Sequence, residues 1–323
     1  MNMISKSRHS TSRWSLHGWL ARVAGLLVIV ALTSVTAQAA ADAEQSFEAG
    51  VKTVRVHGLD FPVLDVGKGP VVLLLHGFPD SHQVWRKQVG PLVRAGFRVV
   101  APDLRGFGDA PIFPEVSDYR LSKVLGDVVG LLDVLEIKQA RVVGHDWGAV
   151  VSWYLAANYP DRVERLMVMS VGAPWNPEFN SIAQREKSWY SLFFQFEGVA
   201  EAQMQKNDWA LFRGLSRNEG DTEAAIEHFA RPGTLTAGLN WYRANSKPLM
   251  PSPDGPPAPP TVKCDVVGVW SERDHYLTEA QMETSGELVS GKWRYERVDG
   301  AGHWMMLERP HHVTALILDF LAH

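Results

Sequence analysis

The chain has 323 residues, 46% of them hydrophobic and 21% charged, an ordinary globular composition with material for a large core. That length allows one large α/β domain with an insertion, or two domains. The formal net charge is −4, so no basic surface argues for nucleic acid, and the 12 tryptophans point to dense core packing, an aromatic-lined pocket, or both.

The first forty residues are set apart. Lys6, Arg8, Arg13 and Arg22 precede the first acidic residue, Asp42. An apolar run from Val23 to Leu32 follows, and then Ala37-Gln38-Ala39 in the small-x-small pattern of a cleavage site. Residues 1–39 read as a signal peptide, which implies an exported chain, periplasmic or secreted, without stable membrane insertion once cleaved. An uncleaved anchor is the alternative, disfavoured because a span needs about 20 apolar residues. Cys264 is the single cysteine, so no internal disulfide forms, and its apolar surroundings make it a small buried hydrophobe.

Beyond the leader, Val51–His57 and Phe61–Val66 read as a hairpin of opening strands around Gly58-Leu59-Asp60. Val71–Leu75, Arg98–Ala101 and Ala140–Gly144 are short apolar runs, the mark of strands buried on both faces. Helical patterns at Trp85–Ala95 and Leu121–Leu135 separate them, and a further strand follows at Leu166–Val171. This alternation implies a mostly parallel, doubly wound sheet. From Pro174 to Pro260 the alternation stops. Short helices are expected at Glu201–Gly214, Glu223–Arg231 and Thr236–Asn245, and the stretch from Pro251 to Pro260 reads as a stiff linker. Strand Asp265–Trp270, a helix near Thr278–Leu288, strand Trp293–Val298 and helix Pro310–Leu321 close the chain. The organisation is therefore a core at residues 45–173 and 261–323, interrupted by a helical cap at 174–260.

Gly144-His145-Asp146-Trp147-Gly148-Ala149 lies between a buried strand and a helix. A sharp turn there needs small residues beside its central one, and it lifts that side chain to the carboxyl end of the sheet. The central residue is an aspartate, kept ionised by the dipole of the following helix. Alone it could be an ordinary N-cap. Two later residues complete a nucleophile, acid, histidine order. Asp274 follows strand Asp265–Trp270, with Glu272 as a substitute closer to the strand, and His303 sits in the loop Gly302-His303-Trp304. Strand Val71–Leu75 ends in His76-Gly77-Phe78-Pro79, placed to supply one backbone donor for an oxyanion, while Trp147 supplies the other.

G-H-D-W-G at Gly144–Gly148, H-G-F-P at His76–Pro79 and Asp103-Leu104-Arg105-Gly106-Phe107-Gly108 together resemble the α/β-hydrolase-fold epoxide hydrolases, from about Val51 to the C-terminus. H-D-W-G is shared with haloalkane dehalogenases. The cap separates the two: Ser188-Trp189-Tyr190-Ser191-Leu192-Phe193-Phe194-Gln195 and Leu239-Asn240-Trp241-Tyr242-Arg243-Ala244 are similar to the segments that carry the ring-opening tyrosines. The resemblance implies Tyr190 and Tyr242 for that role. Phe196-Glu197 stands before Gly198 where the family often has proline, which bears on the turn and not on the tyrosine.

What the resemblance implies is an α/β-hydrolase fold with an inserted cap and an enzyme that opens a small apolar epoxide. Asp146 is the nucleophile, His303 the base, and Asp274 the residue orienting it; Phe78 and Trp147 are the oxyanion donors, and Trp147, Phe78, Trp189 and Trp241 touch substrate. The reaction calls for no cofactor and no metal, and no metal-ligand spacing is visible among the 12 histidines; His311-His312 read as solvated. A haloalkane or haloacid dehalogenase using the same three residues is one alternative. A hydrolase scaffold that only binds a ligand is another.

Overall fold

The computed structural model describes residues 47, 49–246 and 261–322. The leader expected at 1–39 and the linker expected at Pro251–Pro260 lie outside the described residues. Among the described residues no helix is long and apolar enough to cross a membrane.

Eight strands form one sheet: β1 (Val51–Val56), β2 (Leu59–Gly67), β3 (Val71–Leu75), β4 (Arg98–Pro102), β5 (Ala140–His145), β6 (Val163–Met169), β7 (Asp265–Ser271) and β8 (Trp293–Val298). Their order is β1-β2-β4-β3-β5-β6-β7-β8. β1 and β2 are an antiparallel hairpin whose turn residues His57 and Gly58 both have positive φ, as a two-residue connection between twisted strands requires. β2 runs antiparallel to β4, and all pairs from β4 to β8 are parallel. β4 and β5 flank β3 on opposite sides, so the winding reverses there, and a crevice opens at the carboxyl ends of these strands.

The apolar runs are explained by two cores. Leu73 and Leu75 face one, with Val142, Leu166, Val168 and Val266; Val72 and Leu74 face the other, with Val143, Met167, Met169 and Val267. Successive side chains point to opposite faces, so a strand covered by helices on both sides is apolar on both, save for polar residues with a partner such as His145 and Ser271. Burying each such side chain stabilises by roughly 1.5–3 kcal/mol. Helix Leu121–Val134 and helix Trp147–Asn158 cover the first face; Arg86–Arg94 and Pro310–Ala322 cover the second.

These elements stand where the apolar periodicity predicts them. Four readings change. β6 runs from Val163 to Met169 rather than from Leu166 to Val171, because Ser170 turns to φ 69° and ends the ladder. The helix expected at Thr278–Leu288 is one α turn, Glu279–Glu283, continued as a 3-10 turn to Leu288. The helix expected at Glu201–Gly214 spans Val199–Ser216 but is broken at Lys206–Trp209, where Asn207, Asp208 and Trp209 take left-handed backbone, a conformation costing roughly 1–2 kcal/mol per residue. Cys264 is half-buried rather than buried, and its surroundings push the thiol up to about 11.

Between β6 and β7 the chain also forms helices Ile182–Lys187 and Trp189–Phe193, which no periodicity announced. Each is under two turns and rests on capping and tertiary contacts: the Ser181 hydroxyl accepts the Gln184 N–H at 3.2 Å. The helices Thr222–Phe229 and Thr234–Asn245 follow. Arg243 binds Glu201 through two hydrogen bonds, 2.8 and 3.0 Å, inside this helical layer. Asn245 donates to the Tyr119 carbonyl at 2.8 Å and accepts the Leu121 N–H at 2.9 Å, which ties the layer's last helix to the sheet's helices.

Candidate active site

Asp146 occupies the turn between β5 and helix Trp147–Asn158 with φ 52° and ψ −123°, a conformation that strains any residue with a Cβ. Space around it is equally restrictive. A Cβ on Gly148 would lie 2.1 Å from the Leu75 carbonyl oxygen, and one on Gly144 would lie 2.3 Å from the Ser152 hydroxyl. A Cβ on Gly77 would lie 2.3 Å from the Asp146 carboxylate itself. The three glycines let the turn, β3 and the H-G-F-P loop close to this distance, and Asp146 is left 8% exposed at their junction.

The loop after β3 is pinned by its histidine. His76 donates from Nδ1 to the Gly77 carbonyl at 2.9 Å and accepts the Leu104 N–H on Nε2 at 2.9 Å. That fixes the Phe78 N–H, which donates to Asp146 Oδ1 at 2.8 Å. The Trp147 backbone N–H also bonds this carboxylate. Oδ1 is held by the Phe78 N–H, and Oδ2 faces His303, 3.7 Å from its Nε2.

His303 is 3% exposed on the loop after β8. Its carbonyl accepts from His145 Nε2 at 3.0 Å, and the neighbouring Gly302 carbonyl accepts from the Ser271 hydroxyl at 2.7 Å. His303 Nδ1 meets Asp274 Oδ2 at 2.9 Å. Asp274 Oδ1 accepts the Tyr276 and Leu277 N–H groups at 2.8 and 3.0 Å. Glu272 points elsewhere, accepting the Gly300 N–H at 2.9 Å and pairing with Arg297. Burial alone would strip the proton from His303, but the Asp274 and Asp146 carboxylates outweigh it and hold its pKa up to about 10. Burial likewise opposes ionisation of both carboxylates, and the charge and hydrogen bonds of His303 more than compensate, so both lie below the usual range. The resting site is thus a carboxylate, an imidazolium and a second carboxylate in a row.

Above them, from the inserted helices, stand Tyr190 and Tyr242, with ring centroids 5.8 Å apart. The Trp147 indole N–H donates to the Tyr242 hydroxyl, which bonds that of Tyr190. Burial first, and then the Asp146 charge, raise both phenols well above their ordinary value, so both stay protonated. Two cavities flank this point: a chamber of about 30 Å³ on the His303 side and one of about 420 Å³ on the other. Asp146, Tyr190 and Tyr242 are the residues that line both.

The expected substrate contacts divide. Phe78 lines the small chamber; Trp147 and Trp189 line the large one, Trp189 being 52% exposed at its rim. Trp241 lines neither, which corrects the expectation: it is fully buried, its indole N–H is taken by the Arg105 carbonyl at 2.9 Å, and its ring packs behind Trp147. Phe194, another cap aromatic, is also core, wedged against Phe78 and Tyr242. The Phe196-Glu197-Gly198 departure forms a turn in which Gly198 takes φ 71° and starts the next helix.

Sequence reasoning missed several residues around the site. Tyr276 packs on His303 and Tyr190 and donates its hydroxyl to the Leu215 carbonyl at 2.7 Å. Gln184, on a helix too short to announce itself, donates to the Tyr276 carbonyl at 2.8 Å and accepts the Thr278 N–H at 2.8 Å, and Lys187 donates to the Asp274 carbonyl at 2.5 Å. The helical layer therefore buttresses the loop that carries Asp274. No local pattern pairs these positions, which lie some ninety residues apart.

Asp80, just after H-G-F-P, is a further buried carboxyl, accepting the Trp304 indole N–H at 3.0 Å, while the Trp304 ring stands edge-on to His303. Burial pushes Asp80 up to about 8, against the Trp304 bond that lowers it. The unfolded chain releases this proton near 3.8, so the stability it contributes is full below that pH and is lost as pH rises through about 8. Asp80→Asn keeps an acceptor for Trp304. It is expected to match the wild type near pH 4 and to exceed it above pH 8, by on the order of 2 kcal/mol. Urea unfolding at the two pH values checks this, and equal stability at the higher pH overturns it.

Comparison with known proteins shows the family and the fold. A family model of the alpha/beta hydrolase fold matches residues 70–310. The chain is 34% identical to the AB hydrolase superfamily protein YfhM of Bacillus subtilis, covering 84% of this chain and 98% of that protein. It is 33% identical to Epoxide hydrolase A of Mycobacterium tuberculosis, covering 84% and 96%. Among solved structures, an epoxide hydrolase from metagenomes of hot environments superposes with a TM-score of 0.74 at 28% identity, over 84% of this chain and 98% of the other. Epoxide Hydrolase A from Mycobacterium thermoresistibile superposes with a TM-score of 0.69 at 29% identity, over the same shares.

Proposed function

This chain belongs to the α/β-hydrolase-fold epoxide hydrolase family, and from that membership we propose that it hydrolyses an epoxide to a vicinal diol through an ester on Asp146. The observation that carries the reading is that Asp146, Tyr190 and Tyr242 together form the shared lining of two cavities. A carboxylate on one side and two protonated phenols on the other fit the two ends of a carbon–oxygen bond that is to be broken.

Asp146 Oδ2 attacks a ring carbon, forming an alkyl ester as the carbon–oxygen bond of the ring breaks. The departing oxygen is an alkoxide, far more basic than a phenolate of pKa about 10, so Tyr190 or Tyr242 delivers the proton. Forming the ester removes the Asp146 charge, one of those holding the proton on His303. That proton restores the tyrosine and leaves His303 neutral, the state a base requires. His303, oriented by Asp274, then takes a proton from water as the water oxygen attacks the ester carbonyl. The carbonyl oxygen is Oδ1, already bonded to the Phe78 N–H; that donor and the Trp147 N–H beside the same carboxylate stabilise its developing charge. The tetrahedral centre collapses, the alkoxide takes its proton from His303, and the diol leaves. The Asp146 carboxyl returns its proton to His303, and the starting state is restored. No step calls for a metal or cofactor.

A dehalogenase would use the same carboxylate and base but needs donors for a departing halide. The Trp147 indole N–H is engaged by the Tyr242 hydroxyl, and Phe78 has no side-chain donor, so this observation favours the epoxide. A scaffold that only binds would have no use for the paired Asp274 and His303. The test is a panel of epoxides and haloalkanes given to the wild type, Tyr190→Phe and Tyr242→Phe. Each substitution is expected to slow ester formation by about 10²-fold, the range of a positioned proton donor, and to leave ester hydrolysis within a few-fold. Halide release that survives both changes and exceeds every epoxide turnover would establish the dehalogenase instead.

A further inference from the structure

Resting on the epoxide reading, we propose that this site selects epoxides with one long apolar arm, whose other ring carbon bears nothing larger than about a methyl group. The ring must lie where Asp146, Tyr190 and Tyr242 converge, and these residues border both chambers. Substituents on the two ring carbons therefore diverge, one into each chamber.

The chambers are unequal. The large one, about 420 Å³, is mostly apolar, lined by Val150, Val171, Phe179, Leu192 and Leu277 with Asn180, Arg185 and Asn245 among them, and takes an extended hydrocarbon. The small one, about 30 Å³, is lined by Phe212, Leu215, Tyr276 and Trp304 together with His303. A single water needs roughly 10–15 Å³ of such space. The water that His303 activates must stand here, which leaves room for a hydrogen or a methyl group beside it.

The wall is held. Phe212 packs against Phe78, Trp209 and Phe229, and the Tyr276 hydroxyl is fixed to the Leu215 carbonyl. Side chains interlocked in this way yield little to an oversized group. A three-carbon arm forced into this chamber would displace the water that cleaves the ester. Internal epoxides should therefore fail in the second half-reaction as well as in binding.

The experiment compares kcat/KM of the full chain for 1,2-epoxyoctane and 4,5-epoxyoctane, isomers of equal size. The terminal isomer is expected to be favoured by about tenfold or more, the scale on which pocket fit discriminates one or a few methylenes. Leu215→Ala opens the small chamber and is expected to reduce that ratio by about fivefold or more. Leu192→Trp narrows the large chamber and is expected to lower the preference for 1,2-epoxyoctane over 1,2-epoxybutane; it acts from a separate helix should the first variant fold poorly. Equal rates on the two octane isomers, or ratios unmoved in both variants, overturn the proposal. Turnover of no epoxide, with halide released from haloalkanes, refutes the epoxide reading itself and this inference with it.

Discussion

Replacing Asp146 by asparagine is expected to abolish turnover, lowering kcat by about 10⁴-fold or more, the scale of losing a covalent nucleophile. An amide oxygen does not displace an alkoxide, so no residual route uses the same geometry. The substitution is nearly isosteric. The asparagine oxygen still accepts the Phe78 N–H that holds Oδ1, and the strained backbone is unaltered, so the fold should persist. Circular dichroism and thermal unfolding check the fold, and diol formation checks the chemistry. The oxygen source gives an independent reading. In a single turnover in heavy-oxygen water, the oxygen added to the first diol should come from Asp146, because water attacks the ester carbonyl and not the ring carbon. Solvent oxygen in that first diol, or activity in Asp146→Asn within tenfold of wild type, would falsify the covalent route.

The second large effect separates the half-reactions. His303→Gln removes the base for ester hydrolysis but leaves Asp146, Tyr190 and Tyr242 in place, so the ester should form once and then stall. Steady-state turnover is expected to fall by about 10³-fold, within the range of a general base. One equivalent of epoxide should disappear quickly, and the intact protein should gain the mass of one epoxide. The resting charge pattern bears on the size of the effect. His303 is held protonated by the Asp146 and Asp274 carboxylates, and its loss leaves Asp146 buried without its counter-charge. That raises the Asp146 pKa, so ester formation in the variant should require a higher pH than in wild type. Absence of the adduct at every pH, with turnover unchanged, overturns the assignment.

Much of the fold was legible because buried strands and two-sided helical cover impose a pattern that survives in sequence order. β3, β5 and β7 are apolar through their middles because only a position near the start of each, Val71, Arg141 and Asp265, is partly exposed. The short helices Ile182–Lys187 and Trp189–Phe193 were not legible. At this length helix formation is not favoured locally, and what holds them is Ser181 capping and the contacts of Gln184 with a loop ninety residues away. The aromatic residues of the insertion were equally ambiguous in one dimension. Trp189 and Trp241 are both tryptophans beside a tyrosine, yet one rims a chamber and the other donates to Arg105 inside the core. Side-chain type states what a residue prefers to bury, not which surface buries it.

The sequence by itself determined the sheet, the strained turn at Asp146 and the order Asp146, Asp274, His303. Each depends on local chemistry: apolar period, glycines where a Cβ would collide, and loops at strand ends. Only the tertiary structure decided that His303 meets Asp274 rather than Glu272, that Tyr190 and Tyr242 share one junction with Asp146, and that the chambers beside it differ in size. These are distances between groups far apart in the chain. They follow from how the inserted helices pack on the acid loop and the nucleophile turn, where hydrogen bonds and interlocked side chains set the position of every group.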